Sequence, residues 1–173
     1  SGVRCAISGW LPRKRLAIFT PLPPCRSGIA DYNARFLPHL ARHFDIDLYV
    51  DDYKVVDDTL PSSFRIFNAK DFEGVANGYD AILYELGNSE FHAHMLPILE
   101  RHPGIVGLHD AYLSGLYWYR EFMLGQVGSY ATEMLASHGP AARYYLAPVQ
   151  KCANAIGETM VRLPCTKRVL DQA

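Results

Sequence analysis

The residues most able to do chemistry sit in three short stretches. The first, residues 20–32 (TPLPPCRSGIADY), is stiffened by prolines and carries Ser27-Gly28 where a helical pattern begins. A helix starting there turns its unpaired N–H groups and partial positive charge toward the loop, a setting that suits an anion such as a diphosphate. A Ser-Gly pair serves equally well as a plain helix cap. Asp31 falls in the first turn of that helix, where a carboxylate favours the dipole. The second stretch, residues 86–92 (LGNSEFH), offers Asn88 and His92, and asparagine after glycine is also ordinary turn chemistry. The third, residues 108–110 (LHD), places His109 at the end of an apolar run; taken alone it reads as a core histidine satisfied by a backbone carbonyl. Asp110 either orients that imidazole or caps the helix that follows, the more usual work of an aspartate in such a place. Glu85 lies inside an apolar run, so its carboxylate needs a partner or an opening at the strand end. His92 and His94 form an H-x-H, but residues two apart on a helix face different ways, which favours two solvated or capping histidines over a metal site.

These stretches need elements to position them, and the apolar pattern supplies a set. Residues 15–20 (RLAIFT) form a short apolar run closed by Pro21, Pro23 and Pro24, which predicts a buried first strand followed by a loop. From Ile29 the spacing turns helical, with Ile29, Tyr32, Phe36, Leu37, Leu40 and Phe44 on one stripe and Asp31, Asn33 and Arg35 between them. Further strands are predicted at residues 46–50, 64–67, 80–86 and 104–109, the last two each preceded by a segment of helical character. After Asp110 the pattern is wholly helical, at residues 112–124, 130–137 and 141–156. Strand alternating with helix predicts an α/β domain, a Rossmann-like doubly wound parallel sheet with a helix-rich C-terminal third. In such sheets ligands bind beyond the carboxyl ends of the strands, where the loops at residues 21–28, 87–91 and 109–115 converge.

The common signatures of that architecture are missing. No two of the thirteen glycines are two positions apart, so there is no G-x-G of a dinucleotide site, and no Gly-Lys pair forms a P-loop. H-E-x-x-H and G-x-S-x-G are absent too, which removes the zinc-protease and α/β-hydrolase readings. The 173 residues suit one domain, and 49% apolar with 20% charged residues describe an ordinary globular chain. With a net charge of −1, no basic excess speaks for nucleic acid as a partner. No apolar run approaches the length of about twenty residues that a membrane-spanning helix needs. Cys5, Cys25, Cys152 and Cys165 are spaced as neither a C-x-x-C pair nor a zinc ribbon and read as reduced thiols of a cytoplasmic protein. Residues 1–14 read as a leader or a cloning remnant, and the abrupt ending at Ala173 as the other cut edge of a fragment.

Taken in order, P-L-P-P-x-x-S-G-I-A-D-Y at residues 21–32, L-G-N-S-x-F-H at 86–92 and L-H-D at 108–110 resemble the N-terminal domain of group 1 (family 4) retaining glycosyltransferases. The resemblance spans residues 15–173. It implies a GT-B enzyme, in which this domain mainly shapes the acceptor side and a second, C-terminal domain binds the nucleotide-sugar donor. It implies further that Ser27 and Gly28 approach the donor diphosphate, with glycine at 28 letting the phosphate reach the backbone. His109 would be the catalytic cleft histidine beside the transferred sugar. Asp31, Tyr32, Asn88, His92 and Asp110 would line the acceptor side or the cleft. No metal and no cofactor is implied, since the nucleotide sugar is a substrate and the acceptor a glycan or glycolipid.

The family's donor-side E-x7-E is missing, because none of the seven glutamates has another eight positions on. The donor domain is therefore expected to lie outside this sequence, and the chain alone to be inactive. Tyr112, Tyr117, Trp118, Tyr119 and Phe122 offer flat faces for sugar rings, yet their helical spacing assigns half or more of them to core or domain contacts. The expected location is the cytoplasm, at the inner face of the membrane for a lipid-linked acceptor. Peripheral membrane contact stays open, because Arg13, Lys14 and Arg15 form the only tight basic cluster and it is short. The alternatives are a non-catalytic GT-B-like binding or assembly module and, further off, a flavodoxin-like nucleotide or flavin binder.

Overall fold

The computed structural model describes residues 12–56, 60, 64–151, 157 and 162–173. Its strands are β1 (Lys14–Phe19), β2 (Phe44–Val50), β3 (Arg65–Asn68), β4 (Ala81–Leu86) and β5 (Ile105–Leu108). The helices are α1 (Gly28–Leu40), α2 (Met95–Arg101), α3 (Ser114–Phe122), α4 (Ser129–His138), α5 (Ala142–Lys151) and α6 (Lys167–Gln172). All strand pairings are parallel and the order is β3-β2-β1-β4-β5. This is the Rossmann-like α/β arrangement with a helix-rich C-terminal region that the alternating pattern predicts. β1 begins at Lys14, inside the stretch read as a leader. Residues 1–11, with Cys5, and the part of the last predicted helix at 152–156, with Cys152, lie outside the described residues.

Side-chain alternation along β1 divides the core into two halves. Leu16 and Ile18 turn toward Leu22, Leu37, Ile46 and Leu48 on the α1 face. Ala17 and Phe19 turn the other way, into the cluster that holds Tyr49, Phe72, Tyr84 and the apolar side of α2. With both faces covered, a strand of this sheet must be apolar throughout, and that is why β1 reads as an unbroken run. Phe19 is stacked between Tyr49 and Tyr84 at ring-centroid distances of 5.1 and 4.9 Å, with Phe72 edge-on at 4.8 Å.

Two expectations are corrected. Helix α1 buries Ala30, Asn33 and Leu37 and leaves Tyr32 48% exposed, so its inward face is rotated from the stripe read in the sequence. The cause is the Asn33 side chain, whose Nδ2 donates to Thr20 Oγ1 at 2.8 Å and to the Ile29 carbonyl at 3.0 Å. Those bonds let an amide enter the core and fasten α1 to the end of β1. Phe44, placed on the helical stripe, instead opens β2. The second correction concerns the segment before β4, which is two short 3-10 turns, Ala69–Asp71 and Ala76–Gly78, and not a helix. Gly74, Asn77 and Gly78 are poor helix formers, and Phe72 and Tyr79 pack this segment against the sheet.

The chain runs outward from β1 to β2 and β3, then crosses back to β4 and on to β5, so the order reverses between β1 and β4. The loops that leave the carboxyl ends of β1, β4 and β5 meet at this reversal, the place where open α/β sheets bind ligands. On the far side, α6 returns to pack on α2 and α4. Arg168 there reaches Glu100 at 3.0 Å and Glu133 at 3.6 Å. Among the described residues no helix is long and apolar enough to cross a membrane.

Candidate functional site

The loop after β1 is built to hold the start of α1 still. Leu22 donates its N–H to the Tyr53 hydroxyl at 2.8 Å, and the same hydroxyl lies 3.2 Å from the Leu22 carbonyl. Ser27 is the N-cap of α1, its Oγ accepting the Ile29 N–H at 3.2 Å. Gly28 follows, and the direction a Cβ would take from it is open for 4 Å. Gly28 itself is exposed and opens the head of α1 to solvent, while the Ile29 N–H is taken by the cap and the Asp31 N–H by the Ser27 carbonyl at 3.3 Å.

From Gly28 a groove of about 570 Å³ runs along the outer face of α1, lined by Gly28, Asp31, Tyr32, Arg35, Phe36 and His39. Tyr32 and Phe36 stack on each other with ring centroids 5.4 Å apart. The edge of the groove meets β5, because the Tyr32 ring stands 5.3 Å from the His109 imidazole at an interplanar angle of 68°. The rotation of α1 that buries Asn33 is what turns these two aromatic rings outward.

His109 is the first residue beyond β5, and its backbone N–H bonds the Leu86 carbonyl at 2.8 Å. Its Nε2 is hydrogen-bonded to Oε2 of Glu85, whose side chain is 6% exposed against 25% for the imidazole. Glu85 lies opposite Gly107 in the β4–β5 register. A Cβ on Gly107 would come within 2.7 Å of Glu85 Oε2, so the glycine leaves the room in which the carboxylate crosses to His109. This answers the requirement for a partner that the apolar setting of Glu85 raised.

The other residues of the β4 and β5 loops brace the site from behind. Asp110 Oδ2 accepts the Asn88 N–H at 2.6 Å, and Asn88 Oδ1 accepts the Leu116 N–H at 3.1 Å. The capping of α3 expected from Asp110 thus comes from Asn88, since the N-cap position is Leu113 and Asp110 is engaged with the neighbouring loop. His92 is fully buried, its Nδ1 3.1 Å from Ser89 Oγ and its ring 3.1 Å from where a Gly87 Cβ would stand. It supports the loop from inside and does not reach the groove. Burial pulls its pKa down to about 4, which keeps the ring neutral. His94 turns elsewhere, its Nδ1 3.8 Å from Asp51 Oδ2, and burial lowers its pKa as well.

The structure thus brings Gly28, Asp31, Tyr32 and His109 to one surface, with Ser27 at its head and Asn88, Asp110 and His92 beneath. Sequence reading missed Arg35 and His39 on the groove; Arg35 is four residues on from Asp31, and His39 four on from Arg35 and seven on from Tyr32, spacing that carries both to that face. It also missed Gly107, for which the only signal is a glycine opposite a strand-buried glutamate. Of the aromatic cluster, Tyr117 is buried, and Trp118 and Tyr119 pack against the same core, away from the groove. Cys165 is a free, buried thiol that desolvation pushes up to about 12, and Cys25 is free in the first loop. Comparison of the chain with protein-family models, with curated proteins and with solved structures finds no match.

Proposed function

We propose that the chain is the acceptor-side, N-terminal domain of a retaining glycosyltransferase, moving a sugar from a nucleotide-sugar donor to a glycan or glycolipid. One observation carries this reading: the three loops whose residues resemble that family meet beyond the carboxyl ends of β1, β4 and β5, around His109. In this reading the donor diphosphate lies over the first turn of α1. The open space at Gly28 admits it, and the helix dipole favours its charge. His109 stands beside the transferred sugar, and the acceptor lies in the α1 groove, where stacked Tyr32 and Phe36 offer aromatic faces to a sugar ring. Rate comes from holding donor and acceptor in line and from stabilising the departing diphosphate. This wall of the cleft brings no metal or cofactor, and a second domain supplies the donor's nucleotide site. The reaction belongs in the cytoplasm, at the inner face of the membrane when the acceptor is lipid-linked.

The test is release of nucleoside diphosphate from a panel of nucleotide sugars by the full-length protein of this reading frame. Turnover with at least one donor is expected, and His109→Ala should lower kcat about 100-fold. Absence of turnover with every donor, or a His109→Ala variant as active as the parent, overturns the assignment.

A further inference from the structure

We infer that Glu85 is the positioning residue of His109: its carboxylate holds the proton on Nε2, leaving Nδ1 as the nitrogen that accepts a hydrogen bond from a hydroxyl-bearing ligand. Three features of the structure point there independently of sequence resemblance. The first is where the carboxylate sits. Glu85 is 4% exposed in β4, between Tyr84 and Leu86, both 0% exposed. A carboxylate there costs several kcal/mol unless it is paired, and its partner among the described residues is the His109 imidazole.

The second feature is the vacancy at position 107. Glu85 and Gly107 are partners in the β4–β5 register, and His109 lies two residues further on, just past the end of β5 with its N–H still bonded to the Leu86 carbonyl. Side chains two apart on a strand share a face, so a residue with a Cβ at 107 would stand between the carboxylate and the ring. The absent Cβ, which would meet Oε2 at 2.7 Å, is the condition for the contact.

The third feature is the division of the two ring nitrogens. An ionised carboxylate only accepts, so the nitrogen it touches must carry hydrogen. That assigns Nε2–H, and Nδ1 of the neutral ring keeps its lone pair. Among the described residues Nδ1 has no hydrogen-bond partner, while the ring is 25% exposed and edge-on to Tyr32 at the groove. Such a nitrogen accepts from an O–H donor and repels an anionic oxygen, so its partner class is an alcohol, as on a sugar ring, and the phosphate is left to the amides of α1. Naming that alcohol as a sugar rests on the transferase reading; the orientation of the ring by Glu85 does not.

The experiment uses full-length protein with ¹⁵N-labelled histidine, observed by long-range ¹H–¹⁵N correlation at about pH 8.5, well above the ordinary imidazole range of about 6.5. In the parent, His109 is expected to show a protonated Nε2 and an unprotonated Nδ1. Glu85→Gln, which keeps size and removes charge, should move the ring to a mixture of tautomers. Gly107→Ala, which crowds the carboxylate without removing it, should do the same. An unchanged backbone amide spectrum away from these loops identifies the variants that remain folded, and Glu85→Gln alone suffices when Gly107→Ala fails to fold. In the transfer assay Glu85→Gln should lower kcat about tenfold or more with KM within about twofold. A parent protonated at Nδ1, or a folded Glu85→Gln variant with the parent's tautomer, overturns the inference. The tautomer result holding in a protein that turns over no nucleotide sugar overturns the transferase reading and leaves the role of Glu85 standing.

Discussion

Asp110 accepts the backbone N–H of Asn88 at 2.6 Å, a bond that ties the loop after β4 to the loop after β5 just beyond the His109 N–H bond to the Leu86 carbonyl. Asn88 passes the restraint on by accepting the Leu116 N–H in the first turn of α3 at 3.1 Å. Bonds to a charged acceptor are worth about 1.5–3 kcal/mol, so Asp110→Ala should destabilise the protein by that amount. Asp110→Asn keeps an accepting oxygen and should lose about 1 kcal/mol or less. Urea unfolding of the two variants measures the difference, and equal losses would mean that the charge and its geometry add nothing to the loop.

Ser27 is engaged as a cap, so its hydroxyl and the anion site over α1 can be separated by substitution. Ser27→Ala should cost about 1 kcal/mol through loss of the Oγ bond to the Ile29 N–H. Ser27→Asp should retain the parent's thermal midpoint, because aspartate caps as well as serine and its charge favours the dipole. The same charge should weaken binding of inorganic pyrophosphate at least about tenfold, a change of about 1.4 kcal/mol. Calorimetric titration of both variants checks this, and a Ser27→Asp variant that binds pyrophosphate like the parent would move the anion away from α1.

Much of the scaffold was legible because its signals are local. β1 and the second half of β4 are buried on both faces and so appear as continuous apolar runs, β5 reads as apolar although it is the half-exposed edge strand, and the run of prolines after Thr20 marks the end of β1 directly. The face of α1 was not legible, because the residue that sets it, Asn33, is polar and enters the core by bonding the Ile29 carbonyl and Thr20, thirteen positions earlier. The same holds in the site. Glu85 was readable as a carboxylate in need of a partner, but the choice of His109 depends on β4–β5 pairing and on the space at Gly107, neither of which leaves a periodic trace. Asp110, which reads as an orienter of His109 or a cap for α3, instead holds the Asn88 N–H, and that was hidden for a related reason: helix start signals run along the chain, and α3 is capped from across it by Asn88.

Asp47 in β2 ties the amino-terminal end of the sheet together and should dominate stability there. Its side chain is 1% exposed and accepts from Arg15 Nη2 at 3.0 Å, Arg65 Nε at 2.6 Å and the Tyr79 hydroxyl at 2.7 Å. Desolvation, then the bonds to Tyr49 and Asp47, raises the Tyr79 phenol well above its ordinary range, so it remains a donor at all working pH. Arg15→Met or Arg65→Met alone leaves the carboxylate one cation and should cost about 1–2 kcal/mol. The double variant leaves a buried charge without either and should cost about 3–5 kcal/mol, more than the singles together. Thermal or urea unfolding of the three variants measures the coupling, and strict additivity would show that water reaches Asp47 in the folded state.

His92 predicts a dependence on acid whose direction follows from its burial. Desolvation lowers its pKa to about 4 in the folded chain, against about 6.5 for an unfolded imidazole. Between those values the unfolded chain binds a proton that the native ring refuses, so stability falls as pH falls through this window and is fully present above about 6.5. At about 1.36 kcal/mol per unit the full window is worth at most about 3–4 kcal/mol. His94, also lowered by burial, acts in the same direction. His92→Gln retains a side chain able to bond Ser89 and carries no titrating group, so its urea midpoint should fall less steeply than the parent's between about pH 6.5 and 4.5. Parallel slopes in the two proteins would mean that the native ring takes up its proton as readily as the unfolded one, and the buried placement of His92 behind Gly87 would then be wrong.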